Sequence, residues 1–252
     1  MADGDVKDLY DGGFPAWALP PDETGAGFAR SVVKAVFGTL GLPAELTYDT
    51  AVALSELATN VHRHALGGTA PAGLPELWAY VRWGKRREVV LKVYDSAPWR
   101  GTISPGPLRP HPASEGGRGF EVVAALTAEH GGRWGIHRTR SRLGARPVPG
   151  KAVFVAMPIP ADTPPPAPKP DRLVAEEMYA LLAARGLGRM HGSYGYGMAV
   201  ICVRAGVHIW IREDSLSYCA PGHGTARHPL SDAIEVVEQV VQRCEDLDAP
   251  PG

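Results

Sequence analysis

Cysteine is scarce in this chain. Cys202, Cys219 and Cys244 are the three among 252 residues, and no two stand in a C-x-x-C spacing. An odd count without that spacing excludes a disulfide framework and a structural zinc ribbon. Long apolar runs are missing as well: nothing approaches the ~18 consecutive apolar residues of a membrane span, so no membrane role is expected. Nor is there an excess of one charge. The 26 Lys and Arg balance 27 Asp and Glu to a net −1, and no dense basic run supplies the stripe that a dedicated nucleic-acid binder needs. The first ten residues are acidic and lack the basic-then-apolar order of a secretory signal, so a soluble, cytoplasmic protein is expected.

What the chain has is an ordinary globular mixture, 44% apolar and 21% charged, able to bury a real core. Its length suits one large domain or two modest ones. Gly (30) and Pro (24) are abundant and clustered. Residues 161–170 read ADTPPPAPKP, a stretch that can neither pair into a sheet nor continue a helix and that favours extended polyproline II. It is expected to be a linker between a domain over residues 1–160 and a smaller one over 171–252. Charge supports the division: up to Pro160 there are 18 basic and 15 acidic residues (+3), and from Ala161 onward 8 and 12 (−4).

In the first segment, about twenty irregular residues precede a helical rhythm. Phe28, Val32, Val33, Val36, Phe37 and Leu40 recur at three- and four-residue spacing until Gly41. A second helix is predicted over Thr47–Ala65, capped by Thr47, with Ala51, Leu54, Leu57, Ala58 and Val61 as its stripe. The runs Leu77–Trp83 and Val89–Tyr94 read as a hairpin. A glycine- and proline-rich stretch without periodicity fills Ala97–Gly119. Helical spacing resumes over Phe120–Leu126, and Trp134–His137 and Ala152–Pro158 read as strands. This order implies an α/β sandwich, with helices on one face of a mixed sheet.

Three features could carry chemistry. Glu56 and Asn60 stand four apart, so they project from one helix face; a carboxylate and an amide there could orient a water and hold a hard cation such as Mg²⁺, though such pairs also make up ordinary solvated faces. Asp95 ends an apolar strand where Ser96-Ala97-Pro98 opens a loop, and an Asp in that place also starts many turns. Gly117-Arg118-Gly119-Phe120 leads straight into a helix, and glycines at a helix N-terminus leave N–H groups open to an anion or simply form a flexible loop.

Taken in order, these features resemble the motifs of the GHKL (Bergerat-fold) ATPases. The helix Ser55–Ala65 is similar to their N-box. Val93-Tyr94-Asp95-Ser96-Ala97-Pro98 is similar to the first glycine box, Gly117–Val123 to the second, and Gly150-Lys151-Ala152-Val153-Phe154 to the closing strand. The short gap between the boxes and the helix ahead of the N-box look most like the anti-sigma-factor serine/threonine kinase branch. The resemblance covers about Ala16–Pro160 and implies ATP and Mg²⁺ as ligands. It implies Glu56 as general base, Asn60 as the Mg²⁺ ligand, Asp95 as acceptor for the adenine amine, and Gly117 and Gly119 as backbone partners of the phosphates. His64, Ala97, Arg118 and Phe120 fall within the same boxes. The chain departs from the pattern at two places: Ser96-Ala97-Pro98 stands where many relatives carry glycine, and Ala152 where relatives often place threonine. No histidine-bearing dimerisation helix precedes the domain and no long lid is present, which points away from sensor histidine kinases and gyrase-like ATPases.

In the second segment Asp171–Arg185 reads as a helix capped by Asp171, and Gly188–Gly197 as a connecting loop. Ala199–Val203, Val207–Ile211 and Leu216–Cys219 read as a three-strand meander, and Ser231–Cys244 as a closing helix. The implied order is αβββα, a small α+β domain without a catalytic constellation. The resulting expectation is a regulator that binds ATP·Mg²⁺ and phosphorylates or sequesters a protein partner; by resemblance the partner is a sigma factor or an anti-anti-sigma factor, and relatives are often homodimers. The competing expectation is a nucleotide-binding interaction module without catalysis.

Overall fold

The computed structural model describes residues 2–65, 73–97 and 117–249. The chain falls into two compact units: one holds the residues up to Val81 and Arg87–Thr163, the other holds Arg82–Arg86 and the residues from Pro164 onward.

The first unit contains β1 (Ala2–Asp3), β2 (Ala16–Ala18), α1 (Thr24–Thr39), α2 (Ala44–Ala65), β3 (Glu76–Arg82), β4 (Glu88–Asp95), α3 (Gly117–Glu129), β5 (Arg133–Arg140) and β6 (Pro149–Pro158). Its sheet has the order β1-β2-β3-β4-β6-β5. Helix α2 packs between α1 and α3 and against β4 and β6, giving the layered α/β sandwich that the periodicities imply. The short strands β1 and β2 lie in the segment expected to be irregular.

Both long helices begin earlier than their apolar stripes suggest. At α1, Asp22 Oδ1 accepts the Thr24 N–H at 2.8 Å and the Thr24 hydroxyl at 2.5 Å. The helix thus starts a turn before Phe28 and buries Val32, Val33, Val36 and Phe37. It ends where Gly41 takes the left-handed conformation at φ 64° and the Leu42 N–H reaches the Phe37 carbonyl at 2.9 Å, a closure that suits glycine. Thr47, expected as a cap, lies inside α2: its N–H and hydroxyl both bond back to the Pro43 carbonyl, at 3.0 and 2.8 Å. The α2 stripe Ala51, Leu54, Leu57, Ala58 and Val61 is buried.

Strand β4 is buried along its whole length. Strand alternation puts Val89, Leu91, Val93 and Asp95 on one side and Glu88, Val90, Lys92 and Tyr94 on the other. The second set meets an aromatic layer, with Tyr94 stacked on Trp78 at 5.6 Å between centroids and Phe14 edge-on to Trp78 and Tyr80. At the end of β4, Asp95 stands opposite Lys151 of β6 in the antiparallel ladder. The two strands meet there because residue 150 is glycine: a Cβ at Gly150 would lie 2.3 Å from the Asp95 carbonyl oxygen.

The second unit contains α4 (Asp171–Ala184), β7 (His191–Gly195), β8 (Met198–Arg204), β9 (Val207–Arg212), β10 (Ser215–Ala220), β11 (His223–Pro229) and α5 (Ala233–Asp248). Its strands form an antiparallel meander, β11-β10-β9-β8-β7. Met178 and Leu182 of α4 and Val237, Val240 and Val241 of α5 share one core with Ile201, Ile209, Ile211 and Tyr218 of the sheet. The three central strands match the expected meander, and two more flank it. Strand β7 occupies the stretch read as a loop, and β11 follows the last predicted strand. Both are edge strands with mostly exposed residues, so neither carries the apolar run that marks the central three. Asp171 is the first helical residue of α4 rather than its cap, which is Pro170. Arg185, just past α4, donates through Nη1 to Glu238 Oε1 on α5, and the two side chains are only 3% and 2% exposed.

Candidate functional site

Helix α2 presents Glu56 and Asn60 one turn apart, both half-buried. Gly119, in the first turn of α3, lies directly against Asn60. A Cβ added at Gly119 would sit 2.9 Å from Asn60 Nδ2 and 3.4 Å from Oδ1, so a side chain there would push the amide away. The second glycine segment and the α2 pair are thereby brought together. Asn60 Nδ2 is buried without a hydrogen-bond partner among the described residues. Leaving a buried polar group unsatisfied costs about 1–3 kcal/mol, and a bound ligand is one way to recover it. An amide presents oxygen or nitrogen by a half-turn of its terminal torsion, so the same group can serve a donor or a cation. The Glu56 carboxylate likewise has no ion pair or hydrogen bond among the described residues.

A second cluster forms at the end of β4. Asp95 is 6% exposed. Its Oδ1 accepts the Ala97 N–H at 2.9 Å and Lys151 Nζ at 2.5 Å, and Lys151 Nζ also donates to the Ala97 carbonyl at 3.2 Å. Ser96 Oγ is within 3.2 Å of both the N and the O of Gly73, which ties down the chain leaving β4. Asp95 is therefore a turn-starting residue, through its bond to the Ala97 N–H, and at the same time one half of a partly buried ion pair.

Of the remaining residues predicted for the site, Phe120 stacks on Trp134 at 5.4 Å between ring centroids and 13° between planes, which fixes α3 on β5. Gly117 opens α3. The side chains of His64 and Arg118 lie outside the described residues, as do Pro98–Gly116, most of the glycine- and proline-rich stretch. Ala152 is fully buried between β4 and β5. Lys151 belongs to the closing strand of the sequence pattern but was assigned no role there. Its signal is positional: it faces Asp95 across the β4·β6 ladder, a pairing invisible without the strand register. His130, just past α3, bonds Asp49 of α2 at 2.7 Å, a clasp between the two helices that carry Gly119 and Asn60.

A cavity of about 740 Å³ lies elsewhere, between α1 and α2, lined among others by Arg30, Lys34, Leu42, Tyr48 and Val52. Neither Glu56 nor Asn60 lines it. Among the described residues no group of three or more His, Cys, Asp or Glu side chains could hold a metal ion unaided, and no helix is long and apolar enough to cross a membrane.

Residues 19–140 match the family model of the histidine kinase-like ATPase domain. This match covers just under half of the chain and likens that segment to the histidine kinase-like ATPase domains. The chain is also similar to the histidine kinase domain of a blue-light-activated histidine kinase from Erythrobacter litoralis EL346, at 16% identity and a TM-score of 0.32. That similarity covers 53% of this chain and 60% of the kinase domain, so this chain spans somewhat over half of the length of that relative. No curated protein matches. The residues present fit a nucleotide with its cation: Asn60 Nδ2 is buried without a partner among the described residues, the Glu56 carboxylate one turn away has none among them either, and Gly119 lets the first turn of α3 approach Asn60.

Proposed function

We propose that the first unit binds ATP together with Mg²⁺ and works as a regulator similar to the anti-sigma-factor serine/threonine kinases, phosphorylating or sequestering a protein partner such as a sigma factor or its antagonist. The observation that carries this reading is Asn60 Nδ2, buried without a partner among the described residues and held against Gly119. In this role Asn60 would offer an oxygen ligand to Mg²⁺. Gly117 and Gly119 leave the first N–H groups of α3 open to the phosphates, with Arg118 beside them. Asp95 accepts from the adenine amine, and Glu56 takes the proton of an attacking hydroxyl. Bound Mg²⁺ supplies charge neutralisation; the protein supplies positioning, which is most of what phosphoryl transfer asks of it.

Calorimetric titration with ATP, with and without Mg²⁺, tests the reading. Asn60→Ala is expected to weaken binding in Mg²⁺ by roughly tenfold or more, the scale of one charge-assisted contact, with a much smaller loss in metal-free buffer. Gly119→Ala should produce the same Mg²⁺-selective loss from the opposite side of the contact, by displacing the amide. Equal losses in both buffers would make Asn60 a structural residue, and absence of ATP binding in the unaltered protein would overturn the reading.

A further inference from the structure

Lys151 changes what the end of β4 can recognise. A carboxylate alone offers only acceptors, whereas an ammonium brings three donors and no acceptor. Here Asp95 Oδ1 is occupied by the Ala97 N–H and Lys151 Nζ, while Oδ2 has no partner among the described residues. Lys151 Nζ spends two donors, on Asp95 Oδ1 and the Ala97 carbonyl, and the third has no described partner. The pair is held from both sides, with Lys151 opposite Asp95 in the strand register and the two side chains only 17% and 9% exposed. Among the described residues, the end of β4 therefore presents one free acceptor beside one free donor.

We infer that Lys151 is a specificity-determining residue that lets the site accept 6-oxo purine nucleotides as well as 6-amino ones. The inference rests on the nucleotide reading above. A lone carboxylate suits the 6-amino group of adenine and opposes the 6-oxo group of hypoxanthine or guanine, since two acceptors would then face each other. A neighbouring acceptor and donor can serve either 6-substituent in one pose: the adenine amine donates to Asp95 Oδ2, and the hypoxanthine O6 in the same place accepts from the third donor of Lys151. Hypoxanthine is the cleaner probe, because it lacks the 2-amino group of guanine.

The test is calorimetric titration of the full chain with ATP and with inosine triphosphate, in the unaltered protein and in Lys151→Met and Lys151→Arg. The unaltered protein is expected to bind the two nucleotides within about tenfold of each other. Lys151→Met should weaken inosine triphosphate about 10- to 100-fold more than ATP, the scale of one charged hydrogen bond, and Lys151→Arg should keep the original ratio because it keeps a cationic donor. Tight ATP binding with rejection of inosine triphosphate by the unaltered protein would overturn the inference and leave the nucleotide reading standing. So would a ratio that Lys151→Met does not move. Failure to bind either nucleotide would overturn both.

Discussion

Glu56→Gln is expected to leave ATP·Mg²⁺ binding nearly unchanged while slowing ATP turnover by about 10²–10⁴-fold, the usual contribution of a general base. Glutamine keeps the shape and length of the side chain but cannot accept a proton. The effect should be cleanly catalytic, because the Glu56 carboxylate has no bond to another described residue that the change would break. Full-length protein with labelled ATP provides the measurement, as ADP formed per chain under single-turnover conditions. Equal rates for both proteins would remove Glu56 from the chemistry. Binding without turnover in the unaltered protein would place the chain with the non-catalytic nucleotide-binding modules.

Glu238→Ala should destabilise the second unit by about 3–5 kcal/mol, the scale of removing one partner from a buried ion pair, because it takes away the carboxylate bonded to Arg185 Nη1 in a site where both side chains are almost completely buried. Against a typical domain stability of about 5–15 kcal/mol, a loss of that size brings the unit close to unfolding. Urea denaturation followed by far-ultraviolet circular dichroism reads it as an early transition. The joint change Arg185→Met with Glu238→Leu is expected to recover most of the loss, since replacing both ions by apolar groups removes the desolvation burden along with the attraction. A single-variant loss below about 1 kcal/mol would mean that the pair behaves like an exposed one.

What was legible in the sequence followed from local periodicity. The stripes of α1 and α2 were readable because Val32–Phe37 and Ala51–Val61 repeat at helical spacing, and the cores they form are those the spacing implies. The helix starts were not, because they depend on polar groups outside the stripes: Asp22 holding Thr24, and the Pro43 carbonyl receiving Thr47. Of the candidate site, Glu56, Asn60 and Asp95 could be picked out by residue type and order. The contact between Asn60 and Gly119 could not, since it needs α2 and α3 packed side by side. The partner of Asp95 was hidden for the same reason, as Lys151 lies 56 positions away and meets it only through the ladder of β4 with β6.

The two strands that escaped the apolar pattern, β7 and β11, lie at the two ends of their sheet. Their sequences, HGSYG and HGTARHP, hold glycine, histidine, arginine and a terminal proline in place of an apolar alternation. A free strand edge is a template on which another chain can add by backbone hydrogen bonding, and short, polar or proline-marked edges discourage that growth. The composition that hides these strands from a periodicity reading therefore also guards the second unit against aggregation, so an apolar redesign of β7 or β11 would remove that protection and leave the buried core of the unit untouched.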